Sequence, residues 1–211
     1  MGFAYRGNWA LVTGASSGIG EAFARELGAR GMNVALSARS RGRLQGVAAE
    51  LRERHGVDAR VLVADLAHPR GADELVQAVH AQGVDVYLLV NNAGFGSYGR
   101  FETLPPAREQ GQVQVNCASL VRLAQAFLPG MQARASGGVI NVASTAAFQP
   151  TPGMAVYGAT KAFVLHFSEA LWAENRPRGV RVLALCPGAT RTRFFEALGA
   201  SVCTRSPARR A

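Results

Sequence analysis

The sequence predicts a doubly wound α/β fold, in which helices cover both faces of a parallel sheet. Short apolar runs alternate along the chain with segments of helical period, the order found in parallel sheets with right-handed crossovers. The run at residues 87–90 is apolar at every position, as in a strand that is buried on both faces. The 211 residues, 48% of them hydrophobic, suffice for one such domain with a substantial core.

Taken in order, the apolar runs and the segments between them predict eleven elements. The strands are predicted at residues 9–13, 33–38, 59–64, 85–91, 139–143 and 180–186. The helices are predicted at residues 18–30, 41–55, 72–82, 107–133 and 155–175. In the helix at 107–133 we expect Pro129 to end or kink the helix, because proline lacks a backbone hydrogen-bond donor.

The charge of the chain is strongly positive, with a formal net charge of +9. A basic balance can indicate nucleic-acid binding, but the arginines are spread along the chain and no nucleic-acid-binding motif accompanies them. A nucleic-acid-binding function would rest on charge alone, so we expect no nucleic-acid partner. The sharpest basic cluster is in the tail, at Arg205, Arg209 and Arg210.

The cysteines and histidines indicate neither a disulfide framework nor a metal site. The three cysteines, Cys117, Cys186 and Cys203, form no C-x-x-C pair, and the four histidines show no metal-ligand spacing. We therefore expect buried thiols, a reducing cytoplasmic setting and no metal. No apolar run is long enough to span a bilayer, and residues 1–9 lack the apolar stretch of a signal peptide, so we expect no membrane partner.

A glycine-rich segment, Thr13-Gly-Ala-Ser-Ser-Gly-Ile-Gly20, joins the first strand to the first helix. Glycines at such a turn let the backbone approach a pyrophosphate, and the helix N-terminus offers free N–H groups. The alternative is a tight turn that serves only packing, but the strand–turn–helix context favours a dinucleotide site. The candidate residues are Gly14, Ser16, Ser17, Gly18, Ile19 and Gly20.

The end of the second strand indicates which dinucleotide would bind. An acidic residue about 20 positions after the loop would bind the ribose 2′-OH of NAD. This chain instead has Ser37-Ala38-Arg39-Ser40-Arg41, without a carboxylate. Because an arginine can bind a 2′-phosphate, we predict NADP(H), with Arg39 as the main contact and Ser37 or Ser40 assisting. The alternative is that Arg39 is a solvated loop arginine.

The only lysine of the chain closes the string Tyr157-Gly-Ala-Thr-Lys161, and the other 22 of the 23 basic residues are arginine. On one helix the i,i+4 spacing places Tyr157 and Lys161 on the same face. An ammonium beside a phenol favours the phenolate, so we expect a lowered tyrosine pKa and a role in acid–base chemistry. The alternative is two unrelated residues on a helix surface.

With the glycine segment and this pair, the chain resembles the short-chain dehydrogenase/reductase family over most of its length. Asp65-Leu66 is similar to the pair that the family places near adenine, and Asn91-Asn92-Ala93-Gly94 to the motif that closes its fourth strand. Pro187-Gly188 and Thr192 resemble the turn that approaches the nicotinamide. The resemblance thus adds to the cofactor site, beside Tyr157 and Lys161, the residues Asp65, Leu66, Asn92, Ala93, Gly94, Pro187, Gly188 and Thr192.

The resemblance implies a Rossmann fold and a catalytic site formed by Asn116, Ser144, Tyr157 and Lys161. Tyr157 would give a proton to a carbonyl oxygen, or take one from an alcohol, while NADP(H) carries the hydride. Ser144 would stabilise the charge that develops on that oxygen. Lys161 would hold the nicotinamide ribose, and Asn116 would hold a water that links Lys161 to solvent. The implied function is an NADPH-dependent carbonyl–alcohol oxidoreductase.

The substrate side of the predicted site is mostly aromatic. Residues that follow strand ends, where ligands bind in such sheets, predict an apolar pocket for a small hydrophobic ketone, aldehyde or alcohol. Their alternative role is core and loop packing. These residues are Phe95, Phe148, Met154, Phe194 and Phe195.

The C-terminal part departs from the family pattern. We place the domain at residues 1–200 and a basic, disordered tail at 201–211, and the last strand of the family is expected to be missing. Residues 180–186 would then form an exposed sheet edge. Two functions follow as alternatives: a working enzyme, or a shortened dinucleotide-binding protein without catalysis. The helices at 107–133 and 155–175 offer surfaces for a homodimer.

Overall fold

A computed structural model describes residues 3–190 and residue 194. Among these residues, six parallel strands form one sheet in the order β3-β2-β1-β4-β5-β6. The strands are β1 Trp9–Thr13, β2 Asn33–Ala38, β3 Ala59–Val63, β4 Val86–Asn91, β5 Gly138–Val142 and β6 Arg181–Leu185. The helices are α1 Gly18–Ala29, α2 Arg41–His55, α3 Gly71–Ala81, α4 Pro106–Val113, α5 Leu120–Ala133 and α6 Ala155–Asn175. The predicted α/β class is confirmed.

The core lies on both faces of the sheet, because side chains alternate along each strand. On β1, Leu11 faces a cluster with Leu75 of α3 and Leu123 of α5. The next residue, Val12, faces the opposite cluster with Leu44 of α2. All six residues of β4 are buried, as the continuous apolar run predicted. The helices on both faces therefore exclude water from the central strands.

The strand order reverses between β1 and β4, and this reversal determines where a ligand can bind. β1 pairs with β2 on one side and with β4 on the other. The connections that follow β1 and β4 consequently run in opposite directions along the sheet, which opens a crevice above the carboxyl ends of these two strands. The glycine segment after β1 and the loop after β4 both lie at this crevice.

The long helix predicted at 107–133 differs from the structure. It is divided into α4, a π-helical segment Gln114–Ser119, and α5. Pro129 lies inside α5, which continues to Ala133, so the prediction that Pro129 ends the helix is wrong. Proline lacks one donor, yet a helix packed against a sheet can retain it when the core stabilises its flanking turns.

Strand β6 lies at one edge of the described sheet, where it pairs with β5. Leu183 on this strand is largely exposed. The predicted tail at 201–211 lies outside the described residues, so the expected absence of the family's last strand stays a prediction. Within the described part of the chain, no helix is long and apolar enough to cross a membrane.

Candidate functional site

The glycine segment forms a close turn between β1 and α1. Gly14 and Gly18 have positive φ angles of 66° and 59°, a conformation that favours glycine. A Cβ atom added to Gly14 would lie 2.6 Å from Asn92 Nδ2. Ser17 is extended, and α1 begins at Gly18. The turn therefore leaves the N-terminal N–H groups of α1 facing the crevice, where an anionic group is favoured.

Thr13 and Asn92 hold this turn against the loop after β4. Thr13 Oγ1 accepts hydrogen bonds from the N–H groups of Asn92 and Ala93, both at 3.0 Å, and donates to the Val90 carbonyl at 3.2 Å. Asn92 Nδ2 donates to the Thr13 carbonyl at 2.8 Å. The Asn92 side chain thus braces the turn, and Thr13, which sequence reasoning missed, is buried at its centre.

The end of β2 offers the groups predicted to bind a 2′-phosphate. Arg39 is exposed, and Ser37 is buried. Ser37 Oγ has no hydrogen-bond partner among the described residues. The Ser37 carbonyl accepts from the Ala15 N–H at 3.1 Å, so the end of β2 is joined directly to the glycine turn.

The predicted adenine-side pair follows β3. Asp65 is exposed, and its Oδ1 accepts from the Ala67 N–H at 3.0 Å. Leu66 is buried, and its carbonyl accepts from Ser119 Oγ at 2.8 Å. Both residues therefore lie in an ordered turn at the carboxyl edge of the sheet.

Tyr157 and Lys161 share one face of α6. Lys161 Nζ lies 5.7 Å from the centroid of the Tyr157 ring and donates to the Val142 carbonyl at 2.7 Å. The side chain is only 5% exposed, and this burial lowers the pKa of Lys161 to about 8. The single lysine is therefore a buried ammonium at the end of β5.

The pKa of Tyr157 differs from the sequence expectation. Burial of the phenol raises its pKa, and a hydrogen bond with Ser144 opposes the rise without cancelling it. The predicted lowering is thus wrong for the protein alone, because the loss of hydration outweighs the hydrogen bond with Ser144.

Ser144 lies where β5 ends and enters the short 3-10 helix Thr145–Phe148. Its backbone is extended, and its Oγ accepts from the Ala146 N–H at 3.1 Å. The contact between Ser144 and the Tyr157 phenol places both hydroxyls together. An oxygen atom held between them would receive two hydrogen bonds.

Asn116 lies in the π-helical segment and is 1% exposed. Its Nδ2 donates to the Phe95 carbonyl and to Thr160 Oγ1, each at 3.0 Å, and its Oδ1 accepts from the Phe95 N–H at 3.2 Å. Thr160 Oγ1 in turn donates to the Tyr157 carbonyl at 2.8 Å. Because both amide hydrogens are already donated, a water at Asn116 would have to use Oδ1 or main-chain groups.

The aromatic residues predicted to line a substrate pocket have different positions. Phe95 packs against α4, with the Arg108 guanidinium 5.3 Å from its ring centroid. Phe148 is two-thirds exposed. Phe194 lies over Tyr157, with 5.2 Å between ring centroids. Met154, half-buried, immediately precedes α6.

The turn after β6 is described as far as residue 190. The Pro187 carbonyl accepts from the Thr145 N–H at 3.0 Å, so this turn meets the segment that carries Ser144. Gly188 is exposed. The predicted residues Thr192 and Phe195 lie outside the described residues.

The thiols and the other metal-binding side chains show no further chemistry in the described part of the chain. Burial raises the pKa of Cys117 to about 11 and also raises that of Cys186, which makes both thiols poor nucleophiles. Among the described residues, no group of three or more His, Cys, Asp and Glu side chains could hold a metal ion. The cytoplasmic location stays a prediction.

Comparison with known proteins places this geometry in a family. The family model described as "short chain dehydrogenase" matches residues 8–202. A very-long-chain 3-oxoacyl-CoA reductase from Anas platyrhynchos is 38% identical over 185 residues, which cover 86% of this chain and 59% of that protein. The chain therefore spans less than two thirds of the length of this relative.

Two solved structures are closely similar. The short-chain dehydrogenase from Sphingobium yanoikuyae in complex with NADPH has a TM-score of 0.88 and 37% identity, and the match covers 94% of this chain and 77% of that one. The L-sorbose reductase from Gluconobacter frateurii, complexed with NADPH and L-sorbose, has a TM-score of 0.84 and 35% identity, and covers 91% and 73%. The chain thus belongs to the short-chain dehydrogenase family, as its spaced motifs predicted.

Proposed function

We propose that this protein is an NADP(H)-dependent oxidoreductase that interconverts a carbonyl and an alcohol on a small, apolar substrate. One observation carries the proposal: Ser144, Tyr157 and Lys161 meet at the carboxyl edge of the sheet, beside a glycine turn suited to a pyrophosphate. The complexes of two similar proteins with NADPH support the choice of cofactor.

The residues at the crevice fit a dinucleotide phosphate. The glycine turn has no room for a Cβ at Gly14, and α1 presents its N-terminus to the same space. At the end of β2, Arg39 provides a cation, and Ser37 Oγ is a buried hydroxyl without a partner. These are the groups that a 2′-phosphate would use.

In the proposed mechanism the protein positions and protonates the carbonyl oxygen. NADPH, when bound, supplies the hydride. Tyr157 donates its phenolic proton to the oxygen, and Ser144 donates a hydrogen bond that stabilises the developing negative charge. Lys161, when protonated, places a positive charge near the phenol and favours its ionised form as the proton leaves.

The proposed substrate is apolar around its reacting group. The Phe194 ring lies 5.2 Å from the Tyr157 ring, centroid to centroid, so an aromatic face adjoins the phenol. Two of the named relatives have names that indicate substrates as different as a 3-oxoacyl-CoA and L-sorbose, so family membership alone does not select a substrate class.

We also propose a homodimer through the surface of α4, α5 and α6. Val113 on α4 and Phe163 on α6 are large apolar side chains that are exposed in the single chain. Association with a second copy would bury both. We infer no nucleic-acid partner, in agreement with the scattered arginines.

Cofactor binding and turnover test the proposal separately. NADPH fluorescence is titrated with the wild-type protein, and NADPH oxidation is then followed with acetophenone, cyclohexanone and a medium-chain 2-alkanone. We expect binding and turnover in the wild type, and binding without turnover in Tyr157→Phe. NADPH binding with no turnover of any ketone would favour the alternative, a dinucleotide-binding protein without catalysis. Turnover that survives Tyr157→Phe would contradict the mechanism.

A further inference from the structure

A buried polar cluster lies outside the four candidate catalytic residues. It consists of Ser97, in the loop after β4, and Glu109 and Gln112, on α4, whose exposed fractions are 3%, 8% and 0%. Ser97 Oγ and Gln112 Nε2 both donate to Glu109 Oε1, the second at 2.9 Å. Gln112 Nε2 also donates to Ser97 Oγ at 2.6 Å. One carboxylate oxygen therefore holds the cluster together.

Glu109 is the acceptor on which the cluster depends. Gln112 Oε1 has no hydrogen-bond partner among the described residues, so the Gln112 amide is held through its Nε2 donations alone. A buried carboxylate is costly unless it accepts hydrogen bonds, and here it accepts two. Loss of this acceptor would leave the buried Ser97 hydroxyl without the partner to which it donates.

The cluster fixes the middle of a loop that is held at both ends. We call residues 95–99 the wall segment. At its start, the Phe95 N–H and carbonyl both bond to the Asn116 side chain, at 3.2 and 3.0 Å. At its end, the Gly99 N–H donates to the Gly153 carbonyl at 2.9 Å. Ser97 lies between these points, so its bond to Glu109 determines how the segment bends.

The wall segment places Tyr98 next to the residues that precede α6, the helix that contains Tyr157. Tyr98 is half exposed, and its ring lies against Gly153, where an added Cβ would be 3.0 Å from Tyr98 Cε2. Gly153 has a φ angle of 81° and directly precedes Met154, after which α6 begins. Tyr98 thus presents an amphipathic side chain beside the loop that leads to Tyr157.

We propose that Glu109 is a positioning residue that fixes the wall segment, and through it Tyr98, as the surface against which the carbonyl substrate binds. The inference rests on the proposed function. Glu109 touches neither cofactor nor substrate in this account. It acts through Ser97 and Gln112, so its loss weakens substrate binding and leaves the cofactor turn intact.

Three variants test this role. Glu109→Ala removes the shared acceptor. Glu109→Gln keeps an acceptor oxygen in the same place. Gln110→Ala is the matched control, because Gln110 is the exposed neighbour on the same helix. For each, NADPH affinity is titrated by fluorescence, and KM and kcat are measured with acetophenone.

We expect Glu109→Ala to raise KM for acetophenone about tenfold, the effect of about one lost buried hydrogen bond. NADPH affinity and kcat should change less than about twofold, and Glu109→Gln should restore KM. Adding Ser97→Ala to Glu109→Ala should cost no more than either change alone, because both remove the same contact. An unchanged KM in Glu109→Ala, or an equal loss of NADPH affinity, would overturn the assignment.

A readout without substrate separates this inference from the proposed function. Hydrogen exchange of the wall-segment amides should become faster in Glu109→Ala and stay unchanged in Gln110→Ala. If the wild type binds NADPH but reduces no ketone, the proposed function fails and the exchange result still decides whether Glu109 fixes the wall segment. Exchange that is equal in all variants would overturn the inference.

Discussion

Lys161 and Tyr157 are adjacent on one helix face, yet burial affects their two ionisations in opposite directions. It lowers the pKa of the ammonium to about 8 and raises the pKa of the phenol. Both shifts follow from burial, which disfavours the charged form of each group. An arginine at position 161 would stay charged in such a site, because its pKa lies far higher. Unlike an arginine, a lysine at this position can therefore lose its proton.

The depressed pKa of Lys161 predicts a pH dependence of stability. Between about 8 and the ordinary value of 10.5, the unfolded lysine holds a proton that the folded lysine has lost. Rising pH therefore favours the folded state in this window. It removes the free-energy cost of burying a charged ammonium, which is fully present below pH 8. We expect the unfolding free energy of the wild type, relative to Lys161→Met, to rise by about 2 kcal/mol from about pH 7 to about pH 9.5.

Urea unfolding of both proteins at the two pH values measures this difference. Subtracting the Lys161→Met result cancels the other titrating groups. A difference that does not change with pH would mean that Lys161 is as hydrated in the folded protein as in the unfolded chain.

The proposed contact between Arg39 and a 2′-phosphate predicts that the protein binds NADPH more tightly than NADH. Arg39→Asp replaces a cation that can bind a 2′-phosphate with an anion that repels it. We expect NADPH affinity to fall by about tenfold to a hundredfold relative to NADH, the range of a charged hydrogen bond. The control is Arg43→Asp, an equal change of charge at an exposed position on α2. Equal effects of both variants would indicate a general electrostatic attraction instead of a specific contact.

The residue types explain which site residues the sequence could predict. Tyr157, Lys161 and the glycines have chemistry or conformations that few other residues supply, so their spacing is informative. Thr13 and Thr160 are common residues, and only their bonds to Asn92 and Asn116 give them a role. Their roles depend on contacts that form only in the folded protein, so no local sequence pattern indicates these roles.

At the scale of elements, the predicted strands were the most accurate feature. The apolar run of β4 is buried at every position. The interruption between α4 and α5 was missed because Gln114–Ser119 contains neither glycine nor proline, whereas Pro129 lies in an unbroken helix. Glu109 was missed because the polar sequence of α4 reads as a solvated helix, although this residue and Gln112 are buried. Tertiary packing decided both features.

A glycine-to-alanine substitution should have opposite effects on stability in the glycine turn and in helix α2. At Gly14 a methyl group would meet Asn92 and would be strained at a φ angle of 66°. At Gly46, inside α2, nothing lies within 4 Å of an added Cβ. We expect Gly14→Ala to abolish NADPH binding and to destabilise the protein, and Gly46→Ala to stabilise it by about 0.5–1 kcal/mol.

Thermal unfolding and NADPH titration of the two variants provide the comparison. Retained NADPH affinity in Gly14→Ala would contradict the assignment of this turn to the cofactor.

At the scale of the whole molecule, the proposed dimer would bury apolar side chains that are exposed in the single chain. Phe163 stacks on Phe167, with ring centroids 5.8 Å apart, and its ring is exposed at the surface of α6. A second copy would cover this ring together with Val113. Leu183, on the edge strand β6, is a further exposed apolar side chain.

We expect the wild type to be a dimer by light scattering coupled to gel filtration, and Phe163→Asp to be a folded monomer, because a charge would be buried in the interface. Val63→Asp, at an exposed apolar position on β3, is the control and should stay dimeric. A monomeric wild type, or a dimer that tolerates Phe163→Asp, would contradict the proposed interface.

The central claim is hydride transfer to a carbonyl carbon with Tyr157 as the proton donor. NADPH that carries deuterium at the nicotinamide C4 position is incubated with the wild-type protein and the ketone that it reduces fastest, and the alcohol is analysed by mass spectrometry. We expect the alcohol to carry deuterium on its carbinol carbon in the wild type and no alcohol to form with Tyr157→Phe. Alcohol without deuterium, or equal alcohol formation by both proteins, would contradict the account.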